Sequence, residues 1–449
     1  MKISDILGLN ARTHLYSYKY NKAKAKTIAS SKIRTKMVLA KAGIPVPDIY
    51  AKFRKSRNID EYDWKKLPSS FALKPNKGLG GEGIVVVKKR ARQSFENGDA
   101  DAGNLAWVTT DRKLVGVEDL KLHVLDILEG AYSIRNAPDI AYIEEYVGRH
   151  KAFRKYSYRG TPDIRVIVFN KVPVMAMLRL PTRESGGRAN LHQGAIAVGI
   201  DIATGITTRA YWHGEYIRFK PGTNKKLHGI KIPNWSRVLE VAVNCQLVTS
   251  IGYLGADIVL HPEKGPMVLE LNYQPGLSIQ LANSAGLKKR LERVEDLAVK
   301  DAEHGVKIAK ALFSSRFADR VKAEEGVKTV KSFETIKIRS AKGKKVKVAA
   351  KIDTGAWRTS INENLARELG LLSEDNILWF KTVRSSLGRE ERPVISLTFW
   401  LAGRKITTPA SVAKRTALKF PVIIGRKNLK GVLVSPDVTA EEKRDVVKK

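Results

Sequence analysis

The stretch that most restricts the fold is Gly265–Gln280, GPMVLELNYQPGLSIQ. An apolar run, Met267-Val268-Leu269, delivers Glu270 and then, two residues on, Asn272. Residues two apart on a strand point to one face, so a carboxylate and an amide oxygen stand side by side at a strand end. Asp257, in YLGADIVL on the preceding apolar run, can join them from a neighbouring strand. Pro275-Gly276 then turns the chain away. Three oxygen donors on adjacent strands suit magnesium, a hard cation that keeps several waters and is bound together with nucleotide phosphates. A hairpin with polar ends reads the same way in isolation, so the residues before it decide between the two.

Residues 1–30 are a short basic segment with scattered tyrosines. SKIRTKMVLAKA, 31–42, has Ile33, Met37, Val38 and Leu39 at helical spacing and is stopped by Gly43 and Pro45, which predicts a helix carrying Lys32. FALKPNKGLGGEGIVVVKKR, 71–90, predicts two short strands with Lys74 on the first, joined by a loop holding Gly78, Gly80, Gly81 and Gly83. Backbone N–H groups of such a loop approach phosphate oxygens, and a lysine adds a point charge; a glycine-rich hairpin is also a plain turn. It is not the Walker pattern, which ends in Gly-Lys-Ser/Thr and opens a helix. FENGDADAGN (95–104) reads as a loop and VEDLKLHVLDILEGAYS (117–133) as a helix. IAYIEEYV (140–147) reads as a strand whose alternation turns only one of Glu144 and Glu145 inward. TPDIRVIVFNKVPVMAMLRL (161–180) predicts a hairpin at Asn170-Lys171 carrying Asp163, Arg165 and Arg179. Arg188, Asn190 and His192 follow, and Trp235–Ile251 is an amphipathic helix leading into the Asp257 strand.

Charge narrows the partners. The chain of 449 residues carries a net charge of +36, of which +14 lies in residues 331–449 and +22 in residues 1–330. Such a field draws anions: nucleotides, acidic peptides, nucleic acid or anionic lipid. No zinc-finger spacing and no nucleic-acid aromatic signature accompanies it. No apolar run approaches the roughly 20 residues of a membrane span, and the opening MKISDILGLNARTH has no signal-peptide apolar stretch. Cys245 is the single cysteine, so an intramolecular disulfide is excluded and a cytoplasmic protein is expected.

Taken in order, Lys32, Lys74 with its glycine loop, Glu145-Tyr146, DIR at 163–165, RANLH at 188–192, Asp257 and ELNYQPG at 270–276 resemble an ATP-grasp ligase over about residues 30–290. The nearest likeness is to the ribosomal-protein glutamate ligases and their alpha-L-glutamate-ligase-like relatives. A sugar-transfer-associated ATP-grasp branch is also similar to this form, in which only about thirty residues precede Lys32 where such ligases carry an α/β domain. The resemblance implies that ATP phosphorylates a carboxylate and that an amine attacks the acyl phosphate. It implies phosphate contacts from Lys32, Lys74, Gly80, Gly81 and Gly83, and adenosine contacts from Glu145 and the backbone near Tyr146. Asp163 would bind on the ribose side, Arg188 and Asn190 would face the transferred phosphate, and Asp257, Glu270 and Asn272 would hold Mg2+, with Mn2+ as the other divalent ion. Arginine at Arg165 or Arg188 suits a carboxylate or phosphate because its fork binds two oxygens.

Residues 286–325 predict charged helices and 326–332 a linker. From Phe333 the pattern turns all-β. KIDTGA sets Asp353, Thr354 and Gly355 after an alternating strand, and FPVIIGRKNL gives a second apolar strand ending in Ile423-Ile424-Gly425. Over about residues 333–435 this resembles the retropepsin-like domain found beside ATP-grasp glutamate ligases, a family also labelled "ATP-dependent zinc protease"; a charged tail, 436–449, follows. The family ends this domain in Val-Asp where this chain has Val434-Ser435. Zinc is not expected there: all eight histidines lie at or before His304, and Cys245 is upstream too. An aspartic mechanism needs two carboxylates sharing a proton, so one Asp-Thr-Gly per chain implies a homodimer, with Thr354 bracing the Asp353 pair and a flap near Leu387-Gly388.

The expected whole is an α+β protein: an ATP-grasp domain over 1–325, then an all-β retropepsin-like barrel. An acidic peptide or protein is the expected substrate. Two alternatives stand beside it: a basic protein with both sites degenerate that docks on ribosomes or nucleic acid, and a ligase acting on a small cell-envelope precursor.

Overall fold

Alternating and continuous apolar runs pair into antiparallel sheets wherever turn residues bring them back on themselves. The computed structural model describes residues 3–78, 80–91, 105–313, 328–385, 388–414, 420–430 and 432–435. Its two units are Met1–Glu295 and Asp296–Lys449.

In the first unit, β1 (Ile49–Phe53), β2 (Phe71–Pro75), β3 (Val85–Arg90), β4 (Ala106–Thr109), β5 (Leu114–Gly116) and β6 (Ala141–Glu145) form one sheet in the order β1-β6-β2-β3-β4-β5. Its core gathers Phe53, Trp64, Phe71, Leu73, Trp107 and Ile143 under the helix Val117–Leu128. A second sheet contains β7 (Asp163–Phe169), β8 (Val172–Leu180), β9 (Ile196–Ile200), β10 (Thr207–Trp212), β11 (Glu215–Ile217), β12 (Tyr253–His261) and β13 (Gly265–Asn272), ordered β11-β10-β9-β8-β7-β12-β13. The expected hairpin between β7 and β8 turns at Asn170 and Lys171, both in the left-handed region at φ 48 and 59, the backbone of a two-residue turn that matches strand twist. The helices Lys32–Lys41 and Trp235–Thr249 lie where periodicity placed them. Ser31 caps the first, its hydroxyl accepting from Arg34 N at 3.2 Å.

The first helix is rotated relative to its apolar pattern. Met37, expected inward, is 56% exposed, while Lys36 is 2% exposed. On β6 only one of the paired acids is buried, as alternation required. Glu144 is the acid that is buried, and Glu145 stands at the strand end bound to Lys264.

The N-terminal segment is built into this unit rather than extending from it. Leu7 N donates to Gln280 Oε1 at 2.9 Å, and Gln280 Nε2 returns a bond to Leu7 O at 3.1 Å. Ser17 Oγ and Asn21 Nδ2 both donate to Tyr273 O at 2.9 Å, and Arg12 Nη1 reaches Pro275 O at 3.3 Å. Asn21 also brackets Tyr253, donating to its O at 2.9 Å and accepting from its N at 2.8 Å. Asn21→Leu strands these buried backbone groups, so a loss of about 3 kcal/mol in unfolding free energy is expected by urea denaturation; a change below about 1 kcal/mol would mean the segment is not part of the fold.

The second unit is a closed barrel of six strands. β15 (Phe333–Arg339), β16 (Lys345–Asp353), β21 (Val422–Gly425), β17 (Ser360–Asn362), β20 (Arg404–Ala413) and β19 (Gly388–Leu401) follow one another around it, and β15 pairs back onto β19. β18 (Ile377–Ser385) extends it beyond β19, and Ile336, Ile338, Ile395, Leu397, Phe399 and Ile424 fill the inside.

Two boundaries differ from expectation. The units divide at 295/296, because the helix Ala302–Leu312 packs on the barrel: His304 Nε2 is 3.1 Å from Leu378 O, and Lys300 pairs with Glu374 at 3.2 Å. Part of the expected linker is a strand, β14 (Lys328–Lys331), paired in parallel with β22 (Val432–Ser435). Residues 326–327 of the linker, the loop 95–104, the flap tip at Leu387 and the tail 436–449 lie outside the described residues. Among the described residues no helix is long and apolar enough to cross a membrane.

Candidate active site

Strand register assembles the charged centre. Asp163 lies opposite Arg179, Arg165 opposite Asp257, and Asp257 opposite Glu270. Arg165 Nε and Nη2 donate to the two carboxylate oxygens of Asp257 at 2.7 and 2.6 Å. Arg179 grips Asp163 at 2.5 and 2.7 Å, and its Nη2 also reaches Asp257 Oδ2 at 2.7 Å. Burial by itself would raise the Asp257 carboxyl, but the two guanidiniums outweigh it and hold the group well below the usual carboxylate range. Burial pushes Asp163 up to about 6, because Arg179 offsets only part of it and the Asp257 charge adds to it.

A carboxylate expected to serve as a metal ligand is thus already held by two arginines. Glu270 stands directly across from Asp257 in the strand pairing, and Asn272 Nδ2 donates to Asp257 Oδ2 at 3.3 Å, which leaves the Asn272 carbonyl oxygen free of that bond. Two carboxylates on paired strand positions plus an amide oxygen are a hard-donor set that fits magnesium. Among the described residues no group of three or more His, Cys, Asp or Glu side chains is arranged to hold a metal, so a cation here depends on the Asn272 amide. Pro275 folds back over this strand: a Cβ on Gly255 would come within 2.6 Å of Pro275 Cβ.

The first sheet supplies the opposing wall. Lys74 Nζ lies 2.5 Å from Glu144 Oε1, and Lys36 Nζ lies 3.0 Å from Glu144 Oε2. Lys36 also donates to Leu269 O at 3.1 Å, one residue before Glu270. Burial pushes Lys36 down from its ordinary value, opposed by Glu144. Burial would raise Glu144, but Lys36 and Lys74 overcome it and the carboxyl lies below its ordinary value. Lys32 Nζ donates to Gly78 O at 2.7 Å, and Asn190 Nδ2 to Gly80 O at 3.0 Å, tying the glycine loop to the segment after β8.

One cavity of about 1110 Å3 runs between these walls. It is lined by Lys32, Lys74, Gly80, Gly81, Glu145, Tyr146, Asp163, Arg165, Arg188, Asn190, Asp257, Glu270 and Asn272, all thirteen named from the sequence. Gly83 does not line it. At φ 67 it turns toward Tyr132 instead, whose ring a Cβ would meet at 2.5 Å.

Sequence reasoning missed Lys36 and Tyr142, and gave Glu144 and Arg179 no role. Lys36 is one helical turn beyond Lys32, a spacing that puts both on one face. Counting back from the Asn170-Lys171 turn sets Asp163 opposite Leu178; the register shift between Ile167 and Val168 brings Arg179 there instead, and no local signal marks it. The Tyr142 hydroxyl is buried with no hydrogen-bond partner among the described residues, and it lines the cavity.

In the barrel, Asp353 ends β16 directly beside Gly425 of β21. Its Oδ1 accepts from Gly355 N at 2.9 Å and Ala356 N at 3.0 Å. Thr354, expected as a brace, is exposed in the single chain; the buried hydroxyl at this turn is Thr359, accepting from Asn428 Nδ2 at 2.7 Å.

Two antiparallel sheets, one offering a lysine and a glycine loop and the other a carboxylate–amide pair across a single cavity, are the arrangement of the ATP-grasp class that the motif order resembles. The sequence model of the sugar-transfer-associated ATP-grasp family matches residues 11–296, and the chain belongs to that family. It is the branch named second from the motifs, after the glutamate ligases. No curated protein matches the sequence.

Solved structures similar to the chain include the D-alanine–D-alanine ligase of Bacillus anthracis complexed with ATP, 14% identical, covering 68% of this chain and 71% of that one at a TM-score of 0.33. The ATP-grasp ligase PsnB with its minimal precursor is 15% identical at a TM-score of 0.33, covering 62% of this chain. This chain spans 63% of PsnB's length. A Legionella pneumophila protein of unknown function (DUF785), 18% identical at a TM-score of 0.18, covers 25% of this chain and 97% of its own length. These scores are all below 0.5, so the assignment rests on the family match.

Proposed function

We propose that the first unit is an ATP- and magnesium-dependent ligase that joins a carboxylate to an amine. The observation that carries this reading is the single cavity in which Lys74 and the glycine loop face Glu270 and Asn272. In the proposed reaction a carboxylate oxygen attacks the γ-phosphorus of ATP and ADP leaves; the amine nitrogen then attacks the acyl carbon and phosphate departs. Both partners in the first step are anions, so the chain's task is to align and neutralise charge. Lys36 and Lys74 share one carboxylate, which leaves that trio a net positive charge to present to phosphate. Arg188, exposed beside Gly81, and Asn190, bound to Gly80, sit where the loop would cover the transferred phosphate. Asp163 and Glu145 serve the nucleoside end. Asp257, Glu270 and Asn272 would hold magnesium, which when bound would supply positive charge to offset the phosphates.

The finer reading is addition of glutamate, or a similar amino acid, to an acidic peptide, in the cytoplasm where ATP is at hand; the basic charge of the chain supports it. The family's description, sugar-transfer-associated, favours a small cell-envelope precursor as the second reading. Mass spectrometry of a lysate incubated with ATP, with and without the protein, separates them by whether a peptide or a small molecule gains mass. Absence of ADP release with every carboxylate–amine pair offered would reject the ligase reading.

For the barrel, the reading is a retropepsin-like peptidase that works as a homodimer and cleaves what this or a related ligase makes. Its support is the placement of Asp353 beside Gly425. Two carboxylates about 3 Å apart hold one proton between them, so Asp353→Asn should abolish cleavage without unfolding the barrel, and specific activity should fall on dilution. A monomer cleaving at undiminished specific activity, or cleavage abolished by chelation in the full chain, would rule it out.

A further inference from the structure

The outer face of the β15–β16 hairpin carries charge of one sign. Inward residues Ile336, Ile338, Val348, Ala350 and Ile352 fill the barrel, so by alternation Lys337, Arg339, Lys345, Lys347 and Lys351 face solvent. The register sets Lys337 opposite Lys347 and Arg339 opposite Lys345. Like charges directly opposite each other destabilise a sheet, and among the described residues none of these five has an acidic partner within ion-pair distance. The connecting turn adds Lys342 and Lys344, both exposed.

On its other side Lys337 pairs with Trp400 of β19, and Trp400 with Lys405 of β20. A row of cation, cation, indole and cation therefore crosses four strands. Lys345 Nζ lies 4.6 Å from the centre of the Trp400 ring and Lys405 Nζ 6.0 Å, so the aromatic ring in this row is flanked by ammonium groups.

We propose that this face docks single-stranded nucleic acid. Cations repeat about 6.7 Å apart along each strand and about 4.8 Å between strands, a grid that can follow a phosphate backbone. Trp400 supplies the π-face on which a base stacks when Lys345, which lies over the ring, swings onto a phosphate. An acidic peptide would answer the lysines and leave the indole unused; a duplex hides the base faces that the indole would meet. The inference is independent of the ligase and peptidase readings, since no residue of either site is in the row.

The test is fluorescence anisotropy of a labelled 20-mer of uridines, and of its thymidine counterpart, with the full-length chain. The double variant Lys337→Glu/Lys347→Glu should bind at least tenfold more weakly, and its log–log salt slope should be shallower by about 0.7 for each phosphate no longer neutralised. Lys337→Gln/Lys347→Gln should weaken binding less, and Trp400→Leu about tenfold, with unchanged melting temperature. Lys55→Glu/Lys65→Glu, the same charge change on exposed lysines of the first unit, is the control and should weaken binding under threefold. An equal effect in the control, wild-type affinity in the β15–β16 variants, or displacement of the oligonucleotide by an equal concentration of a 20-residue polyglutamate would each overturn the proposal, the last by making the face an acidic-peptide surface.

Discussion

Glu144→Gln should lower the unfolding free energy of the first unit by about 3–5 kcal/mol. Glu144 is 1% exposed and, among the described residues, is the only acid within ion-pair distance of two lysines, Lys36 at 2% and Lys74 at 15% exposure. A buried ion pair adds little net stability, but removing one partner leaves charge stranded in low dielectric. Here one substitution strands two cations, and Lys36 is further fixed by its bond to Leu269 O. Lys36→Met is the informative contrast. It leaves the Lys74–Glu144 pair intact and loses the bond to Leu269 O, so it should cost about 1 kcal/mol. Pulse proteolysis in urea, read on the full-length protein, measures both. A Glu144→Gln cost below about 1 kcal/mol would show that the lysines reach water or lose their protons, and the electrostatic account of this wall would fail.

Glu270→Gln should stop ligation while sparing nucleotide binding. The substitution keeps the side chain's shape and removes the charge that a divalent ion needs, so ADP release with a working carboxylate–amine pair should fall about 100- to 1000-fold. The same change relieves repulsion with Asp257, so stability should hold or rise, which separates a catalytic defect from misfolding. ATP affinity should shift by less than about threefold, because the groups proposed for ground-state phosphate binding, Lys32, Lys74 and the glycine loop, are untouched. Lys74→Ala should show the opposite signature, weak nucleotide binding being its first effect. Wild-type ADP release by Glu270→Gln would remove Glu270 from the proposed metal set.

The sequence by itself determined what depends on near neighbours. Alternation in MVLELN put Glu270 and Asn272 together at the end of β13, and Asn170-Lys171 marked the turn between β7 and β8, whose register then shifts by one residue between Ile167 and Val168. Stop signals bounded the helix Lys32–Lys41, and an apolar strand after Asp353 could be matched to VIIG, which the barrel brings alongside at Gly425. Periods of two and 3.6 residues and left-handed turn positions act over a few residues, so they are visible in a linear string. Only the tertiary structure decided which charges would meet. Lys36 turned inward and Met37 outward because Glu144, 108 positions away, answers a buried ammonium. Asp257 became the hub of two arginines from β7 and β8 rather than a bare ligand. Asn21 and Arg12, which carry no local signal, close on the carbonyls of Tyr273 and Pro275 some 250 residues downstream. The linker failed for the same reason: Lys328–Lys331 look polar and loose until β22 arrives to pair with them. A polar side chain's place is set by the free energy of its partner in a low-dielectric interior, and that partner is chosen by the fold rather than by sequence distance.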